Sequence, residues 1–424
     1  MLIHVCRRWR CLVFGSPRRL NLRLYCTPRT PARDTLGVWP ALPLIVRGDT
    51  TPSGTGNVVA ALEKTNRVYK VNLVNIAGWQ LEQVLAAMQV PFPVLTDLRL
   101  FSNGETMPVI PDSFLDGSAP LLRHFRLDGI PFPGLSKLRL SATHLVSLKL
   151  YSIPHSVYVS PEAIVALISV LFALEQLSLG FQSPQSGPDP ETRRPPPSKR
   201  SVIPALYYFH FKGVIEYLED LVTGIDTPQL DKMRITFFNQ IDFDTPRLRQ
   251  FINRTPTKLG KRDASVLFYD DFARVELSPG ILRIEISCRE PDWQLSSIEQ
   301  VCNSSLHPLS TIEDLYIEPR YRRLVWKDNA IENTLWLQLL LPFTAVKNLY
   351  LSEEFAPGIA AALQQLVEGR TTDVLPSLQN IFVQELGASG PFQKSIGEFV
   401  AARRLSDHPI TISEWSNDSI MKRM

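Results

Sequence analysis

Cysteine is scarce in this sequence, and its few copies form no recognisable framework. The 424 residues contain five cysteines, Cys6, Cys11, Cys26, Cys288 and Cys302. Their number is odd and the two groups lie far apart, which argues against a set of structural disulfides. Free thiols of this kind favour a reducing compartment such as the cytoplasm or nucleus.

Long apolar runs and a strong net charge are also missing. The longest apolar run, Ala163 to Leu174, is too short to span a bilayer and contains Ser169, so it predicts a buried helix. The formal net charge is only +3, so the chain as a whole is not a polycation for nucleic acid. The sequence therefore predicts neither a membrane partner nor a nucleic-acid partner.

Motifs for catalysis are absent. The sequence lacks the phosphate-binding G-x-x-x-x-G-K-[ST], the dinucleotide-binding G-x-G-x-x-G, the zinc-binding H-E-x-x-H and the nucleophile motif G-x-S-x-G. His4, Cys6, Cys11 and Cys26 match no zinc-ligand spacing. We therefore predict a protein that is not an enzyme, with no cofactor and no metal.

A short apolar phrase recurs along the chain instead. Leu95-Thr96-Asp97-Leu98-Arg99-Leu100 has apolar residues at offsets 0, +3 and +5. Twelve copies occur, most of them 24 to 34 residues from the next. They begin at Val68, Leu95, Leu122, Leu135, Leu145, Leu174, Leu206, Leu230, Ile281, Ile312, Val346 and Leu378. A single copy means little because leucine is common, but this repetition indicates a leucine-rich-repeat-like solenoid.

The spacing within the phrase predicts the fold. The last two apolar positions are two residues apart, so both side chains leave the same face of a strand, which only neighbouring copies can cover. We expect an α/β, irregular leucine-rich-repeat-like solenoid with one curved, mainly parallel sheet on the concave side and helices on the convex side. Ser160-Pro161-Glu162 predicts a helix start. Residues 265–268 and 275–277 look like strands that have lost the full phrase.

The amino terminus carries a resemblance. Val5-Cys6-Arg7-Arg8-Trp9-Arg10 resembles the V-C-x-x-W end of an F-box, and the segments at residues 14–20, 38–44 and 237–243 resemble fungal F-box/leucine-rich-repeat proteins. The resemblance implies a Skp1-like adaptor bound through Leu2, Val5, Cys6 and Trp9. It also implies an unknown protein substrate held by the solenoid, as in the substrate-recognition subunit of an SCF-type ubiquitin ligase. Because an F-box opens earlier, the motif is expected to be truncated or degenerate here.

This interpretation divides the chain into five parts. Residues 1–19 are an F-box remnant helix, 20–180 and 202–415 are the two halves of the solenoid, 181–201 are a disordered proline-rich loop, and 416–424 are a tail. Two alternatives stay open. The solenoid could be a stand-alone recognition scaffold without an adaptor. Residues 1–33, with eight arginines and no acid, could instead be a mitochondrial transit peptide.

The partner-binding surface is expected on the concave face of the sheet. Residues at offsets +2, +4 and +6 of each phrase should point away from the core. The candidates are Arg99, Arg126, Arg139, Lys149, His210, Arg234, Tyr316, Tyr350 and Phe382. Asp314 and Glu318 add negative charge to the later copies, so the face is predicted to change from basic to acidic and aromatic.

Overall fold

The computed structural model describes most of the chain, in two compact units. The described residues are 22–29, 31–49, 54–102, 108–133, 143–154, 159–184, 199–240, 242–255, 262–278, 280–320, 333–366, 372–384 and 391–415. The first unit comprises Met1–Thr192, Ser198–Tyr208 and Gly224–Pro228, and the second comprises Arg193–Pro197, Phe209–Thr223 and Gln229–Met424.

The first unit is built on parallel strands that follow one another in chain order. They are β1 Leu22–Cys26, β2 Leu44–Asp49, β3 Val68–Ile76, β4 Asp97–Ser102, β5 His124–Asp128, β6 Ser147–Ile153 and β7 Gln176–Phe181. Each pairs in parallel with the next. The short strands β8 Ser201–Val202 and β10 Ile225–Asp226 form a separate parallel pair.

Helices connect several of these strands. They are α1 Ala32–Val38, α2 Thr55–Leu62, α3 Gly78–Ala87 and α4 Pro161–Ile168. The predicted start of α4 is confirmed, since the Ser160 hydroxyl accepts a hydrogen bond from the Ala163 N–H at 3.2 Å. The prediction of one buried helix through Leu174 is wrong. The helix ends at Ile168, and Phe172 in the following turn is 69% exposed.

The second unit also alternates strands with helices. Its strands are β9 Tyr208–Gly213, β11 Lys232–Phe237, β12 Asp263–Phe268, β13 Phe272–Leu277, β14 Leu282–Ser287, β15 Asp314–Pro319, β16 Asn348–Leu351, β17 Asn380–Gln384 and β18 Thr411–Trp415. Its helices are α5 Ile215–Thr223, α6 Pro246–Arg254, α7 Pro291–Ser305, α8 Asn333–Leu340, α9 Ala356–Gln364 and α10 Pro391–Leu405.

The solenoid order breaks at the three consecutive strands β12, β13 and β14. The sheet order there is β11-β14-β13-β12-β15, and β13 is antiparallel to both of its neighbours. The strands expected at residues 265–268 and 275–277 are confirmed. They form an antiparallel meander, however, because the short connections between them leave no room for the crossover that a parallel pair needs.

The repeated phrase forms the core of both units. In eleven of the twelve copies, the residues at offsets +3 and +5 lie on a strand and are at most 3% exposed. The copy that begins at Leu135 lies outside the described residues. Burying two such side chains per copy stabilises each repeat by roughly 1.5–3 kcal/mol for each side chain. In the copy that begins at Ile281, Leu282 is buried and Ile281 is half-buried.

Backbone hydrogen bonds join successive repeats of the first unit just before their strands. The Arg123 N–H donates to the Thr96 carbonyl at 2.9 Å, and the Val146 N–H donates to the Arg123 carbonyl at 2.8 Å. The Glu175 N–H continues the series to the Val146 carbonyl at 2.8 Å. This repeated join keeps the phrases in register. Among the described helices, none has both the length and the apolarity that crossing a bilayer demands.

Candidate binding surfaces

The first unit places six polar side chains in one row across its sheet. They occupy matched positions on β2 to β7. Along each strand, the residues immediately before and after them point to the opposite face of the sheet. The row consists of Arg47, Asn72, Arg99, Arg126, Lys149 and Ser178. We call this set the polar row. Its three adjacent cations, Arg99, Arg126 and Lys149, are the basic triad, and all three were predicted site residues.

Arg126 is held in place on both sides. Its guanidinium carbon lies 4.4 Å from the ring centre of Phe101 and 4.6 Å from that of Tyr151, which are cation–π distances. One guanidinium nitrogen is 3.3 Å from Asp128, whose carboxylate also accepts a hydrogen bond from Ser152 at 2.8 Å. The two rings and the carboxylate therefore fix the orientation of the central cation of the triad.

The outer members of the triad have no such counter-charge. In the part of the chain that the structure describes, neither Arg99 nor Lys149 forms a salt bridge or a side-chain hydrogen bond. Burial lowers the pKa of Lys149, and repulsion from Arg126 and Arg99 lowers it further. The triad thus has a local excess of positive charge.

A second charged group lies one row away, at the start of the same strands. Asp97 accepts from Lys70 Nζ at 2.9 Å and from the Thr96 hydroxyl at 2.8 Å, and His124 Nδ1 is 3.4 Å away. Burial would raise the pKa of Asp97, but these hydrogen bonds and the charges of Lys70 and His124 lower it overall. Asp97 already has its own cation and does not neutralise the basic triad.

The second unit presents aromatic rings instead. Tyr316, Tyr350 and Phe382 occupy matched positions on β15, β16 and β17. The ring centres of Tyr316 and Tyr350 are 4.3 Å apart at an interplanar angle of 11°, and those of Tyr350 and Phe382 are 4.6 Å apart at 10°. We call these three half-buried rings the aromatic ladder. The structure brings together three residues that the sequence predicted separately.

Trp415 completes this cluster, and the sequence analysis missed it. Its ring meets Tyr350 edge-on at 5.7 Å and Tyr316 at 6.4 Å. The indole N–H donates to the Leu351 carbonyl at 3.1 Å, which fixes the side chain against the strand. The signal in the sequence was weak, because β18 lacks the full phrase and only its apolar Ile412 and Trp415 mark it as a strand.

A chain of side-chain hydrogen bonds runs beside the aromatic ladder. Asn348 donates to Asp314 at 2.7 Å, Asn380 donates to Asn348 at 2.7 Å, and the Thr411 hydroxyl donates to Asn380 at 2.5 Å. Asp314, Asn348 and Asn380 each precede a ring of the ladder by two positions on the same strand and therefore lie on the same face as the rings. The bonded chain fixes the register of β15 to β18 and so keeps the rings aligned.

The remaining predicted residues are distributed as follows. His210 lies on β9 and Arg234 lies on β11, both in the second unit. Arg139 lies outside the described residues. So do the proposed adaptor contacts Leu2, Val5, Cys6 and Trp9. The expectation that Glu318 is solvent-facing is wrong. Its side chain is buried, with 6% exposure. Burial raises the pKa of its carboxyl, and the nearby charge of Arg320 only partly offsets that rise.

Potential metal ligands and thiols are dispersed. Over the described ranges, no three His, Cys, Asp or Glu side chains come together as a metal site would require. Cys26, Cys288 and Cys302 are free and buried. Burial raises the pKa of Cys26 to about 12, so this thiol is protonated and unreactive at neutral pH.

Comparison with known proteins assigns no family to the chain. No family model matches the sequence, and no curated protein matches it. Among solved structures it is similar to the leucine-rich repeat-containing protein LegL7 from Legionella pneumophila, with 12% identity over 90% of this chain and 97% of that chain, and a TM-score of 0.29. A TM-score this low does not establish a common fold. By its own strand register and buried phrases, the chain is an α/β protein of the leucine-rich-repeat-like solenoid type.

Proposed function

We propose that this protein is a non-catalytic recognition module and that the aromatic ladder of the second unit binds a segment of a protein partner. The observation that carries the proposal is the stack of three half-buried rings on a sheet face, buttressed by Trp415. Aromatic side chains are enriched at protein interfaces and in the few positions that supply most of the binding energy.

Rigidity makes the ladder a suitable binding platform. Each ring is held by its neighbours, and the adjacent hydrogen-bonded chain from Asp314 to Thr411 holds the strands. Little side-chain entropy is therefore lost when a partner docks, which favours affinity. The ring faces are already stacked, so the partner contacts the ring edges, where an apolar or aromatic side chain fits best.

The test compares two aromatic variants of the second unit. Tyr350→Ser removes the centre of the ladder, whereas Trp293→Ser removes an aromatic residue that is 50% exposed on α7. Partners captured by cross-linking are identified, purified and titrated by calorimetry. We expect at least one partner to bind Tyr350→Ser about tenfold more weakly or worse, and to bind Trp293→Ser as it binds the unaltered protein. Equal affinity of every partner for both variants would refute the proposal.

We further propose that recognition serves an SCF-type ubiquitin ligase, with Leu2, Val5, Cys6 and Trp9 contacting a Skp1-like adaptor. The support is the resemblance of Val5-Cys6-Arg7-Arg8-Trp9 to the end of an F-box. Co-expression with a Skp1 homologue tests it, with Trp9→Asp as the disrupting variant and Arg10→Ala as the control. Adaptor that co-purifies with the unaltered chain and the control, but not with Trp9→Asp, is the expected result. Adaptor bound to none of them argues for a stand-alone scaffold.

The proposed location is the cytoplasm or the nucleus. It agrees with three buried, unpaired cysteines, Cys26, Cys288 and Cys302. A fluorescent fusion to the carboxyl terminus distinguishes this location from mitochondria. Import with removal of about the first 33 residues would favour the transit-peptide alternative and would also remove the proposed adaptor contacts.

A further inference from the structure

The polar row of the first unit contains side-chain atoms with no bonding partner. Four buried atoms have no hydrogen-bond partner among the described residues, namely Arg47 Nε, Asn72 Oδ1, Arg126 Nε and Ser178 Oγ. Three of the four can donate a hydrogen bond, so the row is short of acceptors. A buried donor without an acceptor is costly, and a ligand that supplies acceptors removes that cost.

The positive charge of the basic triad also favours an anionic ligand. The basic triad places Arg99, Arg126 and Lys149 on three adjacent strands, and within the described ranges Asp128 is the one carboxylate in an ion pair with any of them. Like charges at this spacing repel: burial is the main cause of the lowered pKa of Lys149, and the charges of Arg126 and Arg99 lower it further. An anionic ligand would therefore relieve repulsion as well as supply acceptors.

The surroundings of the triad select a short anionic ligand. Asp97 lies two residues before Arg99, and Asp128 lies two residues after Arg126. Carboxylates therefore flank the positive charge on both sides. A long polyanion such as a nucleic-acid strand would meet them. The rings of Phe101 and Tyr151 that could stack on bases already face Arg126. These features favour a peptide over a nucleic acid.

The spacing of the triad defines the peptide further. Neighbouring strands are about 4.8 Å apart, so Arg99 and Lys149 are separated by roughly 10 Å. In a polyproline-II segment, side chains three residues apart lie on the same side at a distance of about 9 Å. Two carboxylates in an acid-x-x-acid sequence would therefore reach the two outer cations, with Arg126 between them.

We propose that the basic triad of the first unit binds an extended acidic peptide segment in which two carboxylates are three residues apart. The inference rests on the proposed function only in that both assign recognition to a sheet face. The observations that carry it belong to the first unit alone.

The experiment uses the full 424-residue protein and a fluorescein-labelled peptide containing Glu-Pro-Pro-Glu. Binding is measured by fluorescence anisotropy, beside a matched Gln-Pro-Pro-Gln peptide. We expect the acidic peptide to bind at least about tenfold more tightly than the neutral one. This preference should weaken as salt is raised, because the interaction is between charges.

Two variants assign the binding to the triad. Arg99→Gln with Lys149→Gln should reduce affinity for the acidic peptide at least about tenfold. Lys64→Gln, an exposed cation outside the row, should leave the affinity unchanged. Should the double variant fail to fold, Arg99→Gln alone carries the test, since Arg99 is exposed and its loss leaves the core intact. Lys149→Arg, which keeps the charge, should retain binding.

Three results would overturn the inference. These are equal binding of the two peptides, full binding by the Arg99→Gln variant, and tighter binding of a single-stranded oligonucleotide of equal charge through the same residues. Tyr350→Ser, in the second unit, separates this inference from the proposed function. Acidic-peptide binding should survive that substitution, so either proposal can fail while the other stands.

Discussion

The aromatic ladder yields a prediction about stability that depends on the position of each ring. Tyr350 stacks on Tyr316 at 4.3 Å and on Phe382 at 4.6 Å, and it meets Trp415 edge-on at 5.7 Å. Phe382 has one of these contacts. Each aromatic pair contributes about 0.5–1.5 kcal/mol beyond simple burial. Tyr350→Leu should therefore lower the free energy of unfolding by about 1.5–4.5 kcal/mol, and Phe382→Leu by about 0.5–1.5 kcal/mol.

Leucine is the substitution of choice because it keeps an apolar side chain of useful size at each position. Urea denaturation gives the free energy of unfolding, and hydrogen exchange of peptides from β15 to β18 shows whether the loss lies in the second unit. Trp293→Leu, at a half-exposed ring on α7, is the control and should change stability by less than about 0.5 kcal/mol.

The ordering of the two losses is the decisive result. If Phe382→Leu costs as much as Tyr350→Leu, the rings do not act as a stack, and packing against the strand explains their burial. If neither substitution exceeds the control, the ladder contributes no stability, and its rigidity could not be used to explain binding.

Three further predictions concern other parts of the molecule. Gly129 has a φ of +71°, and a Cβ there would lie 2.6 Å from the Ser102 carbonyl oxygen. Gly129→Ala should therefore lower the melting temperature by an amount equivalent to at least about 1–2 kcal/mol. An unchanged melting temperature would contradict the turn geometry. Burial raises the pKa of Glu318 above 4.5, so its protonation stabilises the folded state at low pH and this contribution is lost as the pH rises through the folded pKa. Glu318→Gln should therefore flatten the fall in stability above pH 4.5 and raise stability at pH 7 in denaturation measured across that range, and a steeper fall would refute the assignment. Leu98→Ala should lower the free energy of unfolding, measured by urea denaturation, by about 2–5 kcal/mol. Arg99→Ala, on the other face of the same strand, should lower it by less than about 0.5 kcal/mol. Equal losses would contradict the alternation of buried and exposed residues along β4.

Much of the fold could be predicted from the phrase alone. Its last two apolar positions are two residues apart, and in every described copy, as at Leu98 and Leu100, both are buried on a strand. The same alternation placed Arg99, Arg126 and Lys149 on the opposite face. Period-two alternation is a property of the strand backbone, so it can be read wherever a strand is recognised.

The order of β12 to β14 could not be predicted in this way. Alternation indicates which face a side chain takes, but it does not indicate which strand lies beside which. The reversed order β14-β13-β12 depends on short connections that force antiparallel pairing. Sequence reasoning recognised all three strands, β14 through the phrase that begins at Ile281, but it expected a mainly parallel sheet.

The burial of particular side chains also could not be predicted from the sequence. Glu318 lies at an outward position of its strand and is nevertheless buried. Arg403 lies in the last turn of α10, and its side chain is fully buried and donates to the Leu375 carbonyl at 2.9 Å. Trp415 crosses from β18 to reach Tyr316 and Tyr350. Each of these depends on atoms that are distant along the chain.

The sequence by itself determined the repeat, the buried face of each strand and the residue types that its other face presents, because these depend on local spacing. Tertiary structure alone decided that three rings stack in the second unit, that Trp415 packs against them, and that, among the described residues, Arg99 and Lys149 of the basic triad have no counter-charge of their own. The physical reason is that stacking, hydrogen-bond satisfaction and desolvation depend on distances between neighbouring strands, which the order of residues along one strand does not specify.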